Sequence, residues 1–169
     1  VSNGDLLVVT SSQLYLIDVA NQAITGNVSL IYQSNWENYA VSVNPAGTTA
    51  YVTNKAESIL QTYTLSSMAN AGNMSTGTYS PFDVDISSDG SFGVIGYDED
   101  VVQVFQTSNL SVNATYSANT VRAQVELNSD DTEDYIGVFR VGNGFTHVDL
   151  QTGVTTSYSS DYGSTPGLY

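Results

Sequence analysis

The 169-residue chain carries 17 acidic and 3 basic side chains, a formal net charge of −14, although only 12% of its residues are charged. Reading nucleic acid requires clustered Lys and Arg that displace counterions from phosphate, so this class is excluded, and the same shortage of cations argues against binding to an anionic membrane surface. Because 41% of the residues are apolar and the acids are scattered, we expect a folded domain rather than a disordered acidic tail.

The chain contains no Cys, which excludes disulfides and cysteine metal sites. No apolar run approaches the roughly 20 residues of a membrane-spanning helix. Hydroxyl and amide side chains dominate the polar residues, and Lys55 is the single lysine. This composition favours an extracellular β-protein, with an acidic cytosolic protein as the alternative.

A polar turn followed by an apolar strand recurs four times along the chain. The copies begin at positions 1, 44, 87 and 128, which are shifts of 43, 43 and 41 residues. Each turn usually ends in Gly, and each following strand contains a pair of adjacent apolar residues: Val8-Val9, Tyr51-Val52, Val94-Ile95 and Tyr135-Ile136. Self-similarity at such a period indicates a repeat architecture.

Further strands flank each copy. An alternating segment precedes the three later turns, at 39–43, 82–86 and 123–127, and another strand follows all four, at 14–18, 60–64, 102–106 and 145–149. A polar fourth strand, rich in Ser, Thr and Asn, comes last. Alternation with a period of two predicts strands, and no segment shows a convincing helical period. Each unit is therefore predicted to be a four-stranded antiparallel meander of about 42 residues.

A single meander cannot bury both of its faces, so successive units are expected to stack face to face. Four strands in 40–45 residues is typical of a propeller blade, and the sequence predicts an all-β, β-propeller-like array of four four-stranded antiparallel blades. The predicted units of this single repeat domain are 1–38, 39–81, 82–121 and 122–163. A β-sandwich and a stacked β-solenoid are the alternatives.

The second and third units resemble a known family. Ala50-Tyr51-Val52-Thr53-Asn54 is similar to the motif of the YVTN-repeat β-propellers, and the segment from Ser80 to Gly90 is similar to the lead-in of the same repeats. The first and fourth units depart from this motif. The resemblance implies an extracellular surface-layer, adhesion or binding propeller, often of seven blades, in a family that also has lactone-hydrolase relatives. It implies no catalytic residue.

The repeat begins at its turn, so the first unit is expected to lack its innermost strand. The segment 164–169 resembles the start of such a strand, with Pro166 matching Pro81. This segment is predicted either to close the ring or to be donated to a neighbouring copy, unless the sequence is cut from a larger array. Unpaired strand edges template strand addition, so self-association into an oligomer or filament is expected.

Four Asn-x-Ser/Thr sequons occur, at Asn27, Asn73, Asn109 and Asn113. Chance alone predicts about three in a chain this rich in Asn, Ser and Thr, so their number carries no weight. Their position is informative, because all four fall in or beside the outermost strand of a unit. We therefore predict glycans on the outer rim, where they would also block edge-to-edge pairing.

Two acidic segments are candidate calcium sites, since calcium prefers carboxylate and carbonyl oxygens in loops. Neither has the spacing of an EF-hand, and a solvated acidic turn is the alternative for both. No cofactor is otherwise required. The candidate ligands are Asp98, Glu99 and Asp100 in one hairpin, and Asp130, Asp131, Glu133 and Asp134 in the fourth repeat turn.

Enzyme chemistry has few residues to use. His147 is the single His and is interpreted as structural, since catalytic and metal triads need converging partners. Asp83 and Asp85 share one strand face, and a glycosidase would need an opposing carboxylate as well. Tyr32, Trp36 and Tyr39 form a candidate binding face for a sugar or protein partner, with packing between blades as the alternative.

The sequence thus predicts a non-enzymatic extracellular structural or binding module, a surface, matrix, adhesion or filament component. Its expected partners are a second copy, a protein or a glycan. The alternative is a fragment or divergent member of a lactonase-like propeller hydrolase, which would need several titratable groups converging at the mouth of the ring.

Overall fold

The structure, a computed structural model, describes residues 4–31, 40–117, 122–128, 133–137 and 144–159. The side chains of 133–137, 144, 145, 157 and 159 are outside this description. The described residues contain fifteen β-strands and no helix, so none of them forms a helix that could cross a bilayer. The strands are β1 Leu6–Val9, β2 Gln13–Asp18, β3 Ala23–Ser29, β4 Val41–Val43, β5 Thr49–Asn54, β6 Ile59–Thr64, β7 Ala69–Ser75, β8 Pro81–Ile86, β9 Phe92–Tyr97, β10 Val102–Gln106, β11 Ser111–Tyr116, β12 Gln124–Leu127, β13 Glu133–Gly137, β14 Gly144–Asp149 and β15 Thr155–Ser159.

These strands form four consecutive antiparallel sheets in which neighbours in sequence are neighbours in space. Sheet 1 has the order β1-β2-β3, sheet 2 β4-β5-β6-β7, sheet 3 β8-β9-β10-β11 and sheet 4 β12-β13-β14-β15. The prediction of an all-β chain built from successive antiparallel meanders is confirmed. Sheet 1 has three described strands rather than four, because no described strand pairs with the outer side of β1.

Three hydrophobic clusters join each sheet to the next. The first connects sheets 1 and 2 through Leu14 and Tyr63, the second connects sheets 2 and 3 through Leu60 and Phe105, and the third connects sheets 3 and 4. No cluster of described residues joins sheet 4 back to sheet 1. The described array is therefore propeller-like and open.

The adjacent apolar pairs found in the sequence mark the strands that are covered on both faces. Tyr51 packs towards sheet 3, whereas its neighbour Val52 packs towards sheet 1. In the next unit Val94 packs towards sheet 4 and Ile95 towards sheet 2. Successive side chains of a strand point to opposite faces, so two adjacent apolar residues are needed where both faces are buried.

The Gly at the end of each repeat turn has a conformational reason. Gly47 and Gly90 have φ angles of 67° and 75°, and the N–H of each donates to the carbonyl three residues earlier. Glycine adopts this left-handed region without a steric penalty. The turn then reverses the chain from β4 into β5, and from β8 into β9.

Candidate functional site

Two inner-strand carboxylates connect sheet 3 to sheet 4. In β8, Asp83 Oδ2 accepts a hydrogen bond of 3.1 Å from the N–H of Val125, and Asp85 Oδ2 accepts one of 2.9 Å from the N–H of Leu127. The second oxygen of each carboxylate accepts from the N–H of the next residue in its own strand, Val84 or Ile86. Both carboxylates are therefore occupied by backbone donors on two neighbouring inner strands.

The same seam continues to sheet 2 through a hydroxyl group. Ser42 Oγ in β4 donates to Asp85 Oδ1 across 3.3 Å. Ser42 and Asp85 are 43 positions apart, one repeat, so corresponding positions of three inner strands meet in one polar row. We call the row formed by Ser42, Asp83 and Asp85 the inner-strand seam.

Burial shapes the electrostatics of this seam. Desolvation raises the pKa of the Asp83 carboxyl above its usual range, and the charges of Asp85 and Glu126 raise it further. The hydrogen bonds from the N–H groups of Val125 and Val84 act in the opposite direction because they stabilise the ionised form. Burial is the largest of these effects, so keeping Asp83 ionised in the seam costs free energy.

The acidic hairpin at 98–100 does not gather its carboxylates around one point. Asp98 Oδ2 lies 2.6 Å from Lys55 Nζ, and Asp98 Oδ1 lies 3.6 Å from Arg122 Nε. Glu99 Oε2 accepts a hydrogen bond from the N–H of Ser80, and Asp100 Oδ2 accepts one from the hydroxyl of Ser117. Two side-chain cations thus already lie beside Asp98, where the sequence analysis placed calcium.

The second acidic segment is described in part. Asp130 and Asp131 lie outside the described residues; Glu133 and Asp134 begin strand β13, and their side chains are not described. Among the residues that the structure does describe, no group of three His, Cys, Asp or Glu side chains could hold a metal ion. Calcium binding at either segment stays a prediction.

All four sequon asparagines are exposed at the outer edge of the array. Asn27, Asn73 and Asn113 lie in β3, β7 and β11, which are the edge strands of sheets 1, 2 and 3. Asn109 lies in the turn before β11, where its Oδ1 accepts hydrogen bonds from the N–H and hydroxyl of Ser111 in its own sequon. These positions leave room for a glycan at each site.

The remaining candidates divide between described and undescribed parts of the chain. Tyr32, Trp36 and Tyr39 lie outside the described residues. His147 is half-buried in β14, opposite Tyr135 and Thr156. The structure does not bring His147 into the inner-strand seam with Asp83 and Asp85.

The contact between Lys55 and Asp98 was missed by the sequence analysis, although a signal for it was present. The two residues are 43 positions apart and so occupy the same place in successive repeats. Stacked repeats bring corresponding turns together, so opposite charges one period apart predict an ion pair between neighbouring sheets.

The sequence matches no protein-family model and no curated protein sequence. Its fold is similar to that of a solved chain of hydrazine synthase from Kuenenia stuttgartiensis, with a TM-score of 0.80 and 17% sequence identity. The alignment covers 92% of this chain and 46% of that one, so this chain spans less than half of its structural neighbour. At this identity the similarity establishes the fold alone.

Proposed function

We propose that this chain is a non-enzymatic, extracellular β-propeller module of the YVTN-repeat kind, acting as a structural, adhesive or matrix component of a cell surface. The observation that carries the proposal is the character of the outer rim, which we define as β3, β7, β11, β15 and the hairpins that lead into them. Among the described residues, seven large apolar side chains are exposed, and five of them lie on this rim: Val19, Ile24, Val112, Val154 and Tyr158. The four exposed sequon asparagines share this rim.

This combination suits a surface that makes contacts with other macromolecules. Apolar side chains on edge strands favour pairing or packing with a partner, while glycans would limit uncontrolled edge-to-edge association. The net charge of −14 keeps copies apart at low salt. Contact through the rim should therefore strengthen as salt screens this repulsion.

The inner-strand seam supports the non-enzymatic part of the proposal. Asp83 and Asp85 are the carboxylates that a hydrolase at the centre of the array would draw on. Each accepts one backbone hydrogen bond from the neighbouring inner strand and one from the next residue of its own strand. A carboxylate committed in this way serves packing, because a general base must be able to reach a substrate proton.

Self-association through β1 is part of the proposal. Within the described residues β1 pairs with β2 on one side, whereas its counterparts β5 and β9 are paired on both sides. An extended segment of another copy could add to this edge. The segment 164–169, predicted either to close the ring or to be donated to a neighbouring copy, lies outside the described residues.

Sedimentation velocity at low and high salt tests the contact surface. The full chain should associate more strongly at high salt, and Val112→Lys should weaken the association. Ala46→Lys, at an exposed position of the turn between β4 and β5 and so outside the rim, should leave it unchanged. A chain ending at Asp161 should lose any association that depends on strand addition. If all four proteins stay monomeric at every salt concentration, the contact function is wrong.

Protease treatment of intact source cells tests the location, and intact mass before and after deglycosylation tests the glycans. We expect protease added to intact cells to digest the protein, and the protein to persist in intact cells that receive no protease. A protein that is protected until the cells are lysed would contradict the extracellular assignment. Turnover of a lactone substrate that is abolished in a point variant would instead favour the hydrolase alternative.

A further inference from the structure

At two contacts between neighbouring sheets, a hairpin side chain of one sheet covers a glycine of the sheet before it. We call this covering side chain the plug. The hairpin that leads into the last strand of each sheet contains a residue with positive φ: Gln22, Met68, Leu110 and Gly153. Met68 of sheet 2 reaches back to Gly26 of sheet 1, where an added Cβ would lie 2.7 Å from Met68 Cγ. Leu110 of sheet 3 covers Gly72 of sheet 2 in the same way, at 3.5 Å.

The contact between sheets 3 and 4 lacks this plug. The corresponding residue of sheet 4 is Gly153, and the ring of Tyr116 from sheet 3 lies beside it, 3.2 Å from the position of a Cβ. A groove of about 280 Å³ opens at this point. Its walls include Phe92, Val104, Gln106, Asn113, Tyr116 and Gln151.

The chemistry of the groove is neutral and mixed. No charged residue is among the described residues that line it, although the chain as a whole has a net charge of −14. Two aromatic rings provide apolar surface. The side-chain amides of Gln106, Asn113 and Gln151 make no hydrogen bond to another described residue, and each amide offers both donors and an acceptor.

We propose that this groove binds a neutral saccharide of one or two rings. The apolar face of a pyranose ring would pack on Tyr116, and its hydroxyls would exchange hydrogen bonds with the three amides. An apolar side chain from a partner would instead bury these amides without hydrogen bonds, which is costly. An anion would find no cation in the groove. The volume is close to the lower limit of about 300 Å³ for ligand pockets, which suits a small ligand.

The site does not depend on the proposed extracellular location, and its test uses unglycosylated protein from a bacterial host. Glucose, galactose, mannose, N-acetylglucosamine and cellobiose are titrated separately into the ¹⁵N-labelled full chain. We expect at least one of them to shift the amide signals of Ala114, Tyr116 and Gln151 with a Kd in the millimolar range. Glucuronate, which carries a negative charge, should bind at least ten-fold more weakly.

Two pairs of variants locate the binding. Gly153→Met places beside the groove the side chain that Met68 has at the corresponding position of sheet 2, and it should weaken binding at least ten-fold. Gln22→Met introduces a methionine at the corresponding position of sheet 1 and should not alter binding. If Gly153→Met fails to fold, Tyr116→Ala should abolish binding and Tyr116→Phe should retain it. The proposal is overturned if no sugar shifts these signals at high millimolar concentration, if the shifts lie elsewhere, or if Gly153→Met binds normally. The protein in this test carries no glycan on Asn113, because a glycan there would take up the amide nitrogen that the groove offers to a free sugar.

Discussion

Asp85 and Leu127 are 42 positions apart in sequence, yet the carboxylate of Asp85 accepts the N–H of Leu127 at 2.9 Å. A parallel bond joins Asp83 to Val125 at the same spacing. Residues one sequence repeat apart are therefore joined by hydrogen bonds between neighbouring inner strands. This seam is a polar contact between blades that accompanies the apolar clusters.

Asp85→Ala should destabilise the fold. The variant leaves the partly buried N–H of Leu127 without its acceptor, which costs about 1–3 kcal/mol in the free energy of unfolding. Urea unfolding measures the change. Ser42→Ala is the control, because it removes a single 3.3 Å hydrogen bond to the same carboxylate and should cost less. Equal losses in the two variants would show that the bond to sheet 4 contributes nothing of its own.

Asp83 should make stability depend on pH in the direction opposite to ordinary acid denaturation. Burial raises the pKa of this carboxyl in the folded state above its ordinary value of 3.8. The folded state then binds more protons than the unfolded state between the two pKa values, so the contribution of Asp83 to stability is greatest below the unfolded pKa and is lost as pH rises through the folded pKa.

The comparison of wild type with Asp83→Asn isolates this contribution. As pH falls from neutral towards 3.8, the wild type should gain stability relative to the variant, which has no group to titrate at this position. Urea unfolding of both proteins across this range provides the measurement. A difference that stays constant, or that shifts in favour of the variant on acidification, would contradict a raised pKa.

A Cβ at Gly96 has no room, whereas one at Gly72 does. At Gly96 it would overlap the carbonyl oxygen of Ala123, the residue that leads into sheet 4. At Gly72 the nearest atom, Leu110 Cδ1, would be 3.5 Å away, an ordinary contact distance. Backbone cannot move aside as a flexible side chain can.

Gly96→Ala should therefore cost about 1–3 kcal/mol or more by overpacking, and Gly72→Ala should be close to neutral. Thermal unfolding of both variants is the measurement, and the loss at Gly96 should be accompanied by exposure of the cluster between sheets 3 and 4. A Gly96→Ala variant as stable as Gly72→Ala would show that the two sheets are not held this closely.

The strands and their grouping could be predicted from the sequence because they depend on local periodicity. Adjacent apolar residues such as Val94-Ile95 mark a strand buried on both faces, and Gly47 and Gly90 mark turns that need positive φ.

The contacts between sheets were harder to predict, since they depend on which corresponding residues differ from one unit to the next. Asp83 and Asp85 were recognised as a pair on one face, but their backbone partners in sheet 4 carry no signature in the sequence. Gly153 looks like an ordinary turn glycine until Met68 and Leu110 are seen to plug the corresponding sites. The groove lies beside this difference, and it is also lined by Ala114, which stands where sheets 1 and 2 have Gly26 and Gly72.

Gln61 and Gln103 occupy corresponding positions in sheets 2 and 3 with opposite outcomes. The Oε1 of Gln103 accepts a 2.6 Å hydrogen bond from the hydroxyl of Tyr97. Position 54 in sheet 2, which corresponds to Tyr97, is Asn54, and its side-chain amide donates instead to the carbonyl of Ile31. Gln61 is completely buried, and neither polar atom of its side chain has a hydrogen-bond partner in the described structure.

Gln61→Leu should therefore be neutral or stabilising, because it removes a buried amide that gains nothing from a partner. Gln103→Leu should cost about 1–3 kcal/mol, since it leaves the buried hydroxyl of Tyr97 without its acceptor. The two substitutions make the same change of side chain at corresponding sites, so differences in size and strand propensity largely cancel. Urea unfolding of both variants decides the matter: if Gln61→Leu destabilises the protein as much as Gln103→Leu does, the amide of Gln61 is hydrogen-bonded in solution and this assignment is wrong.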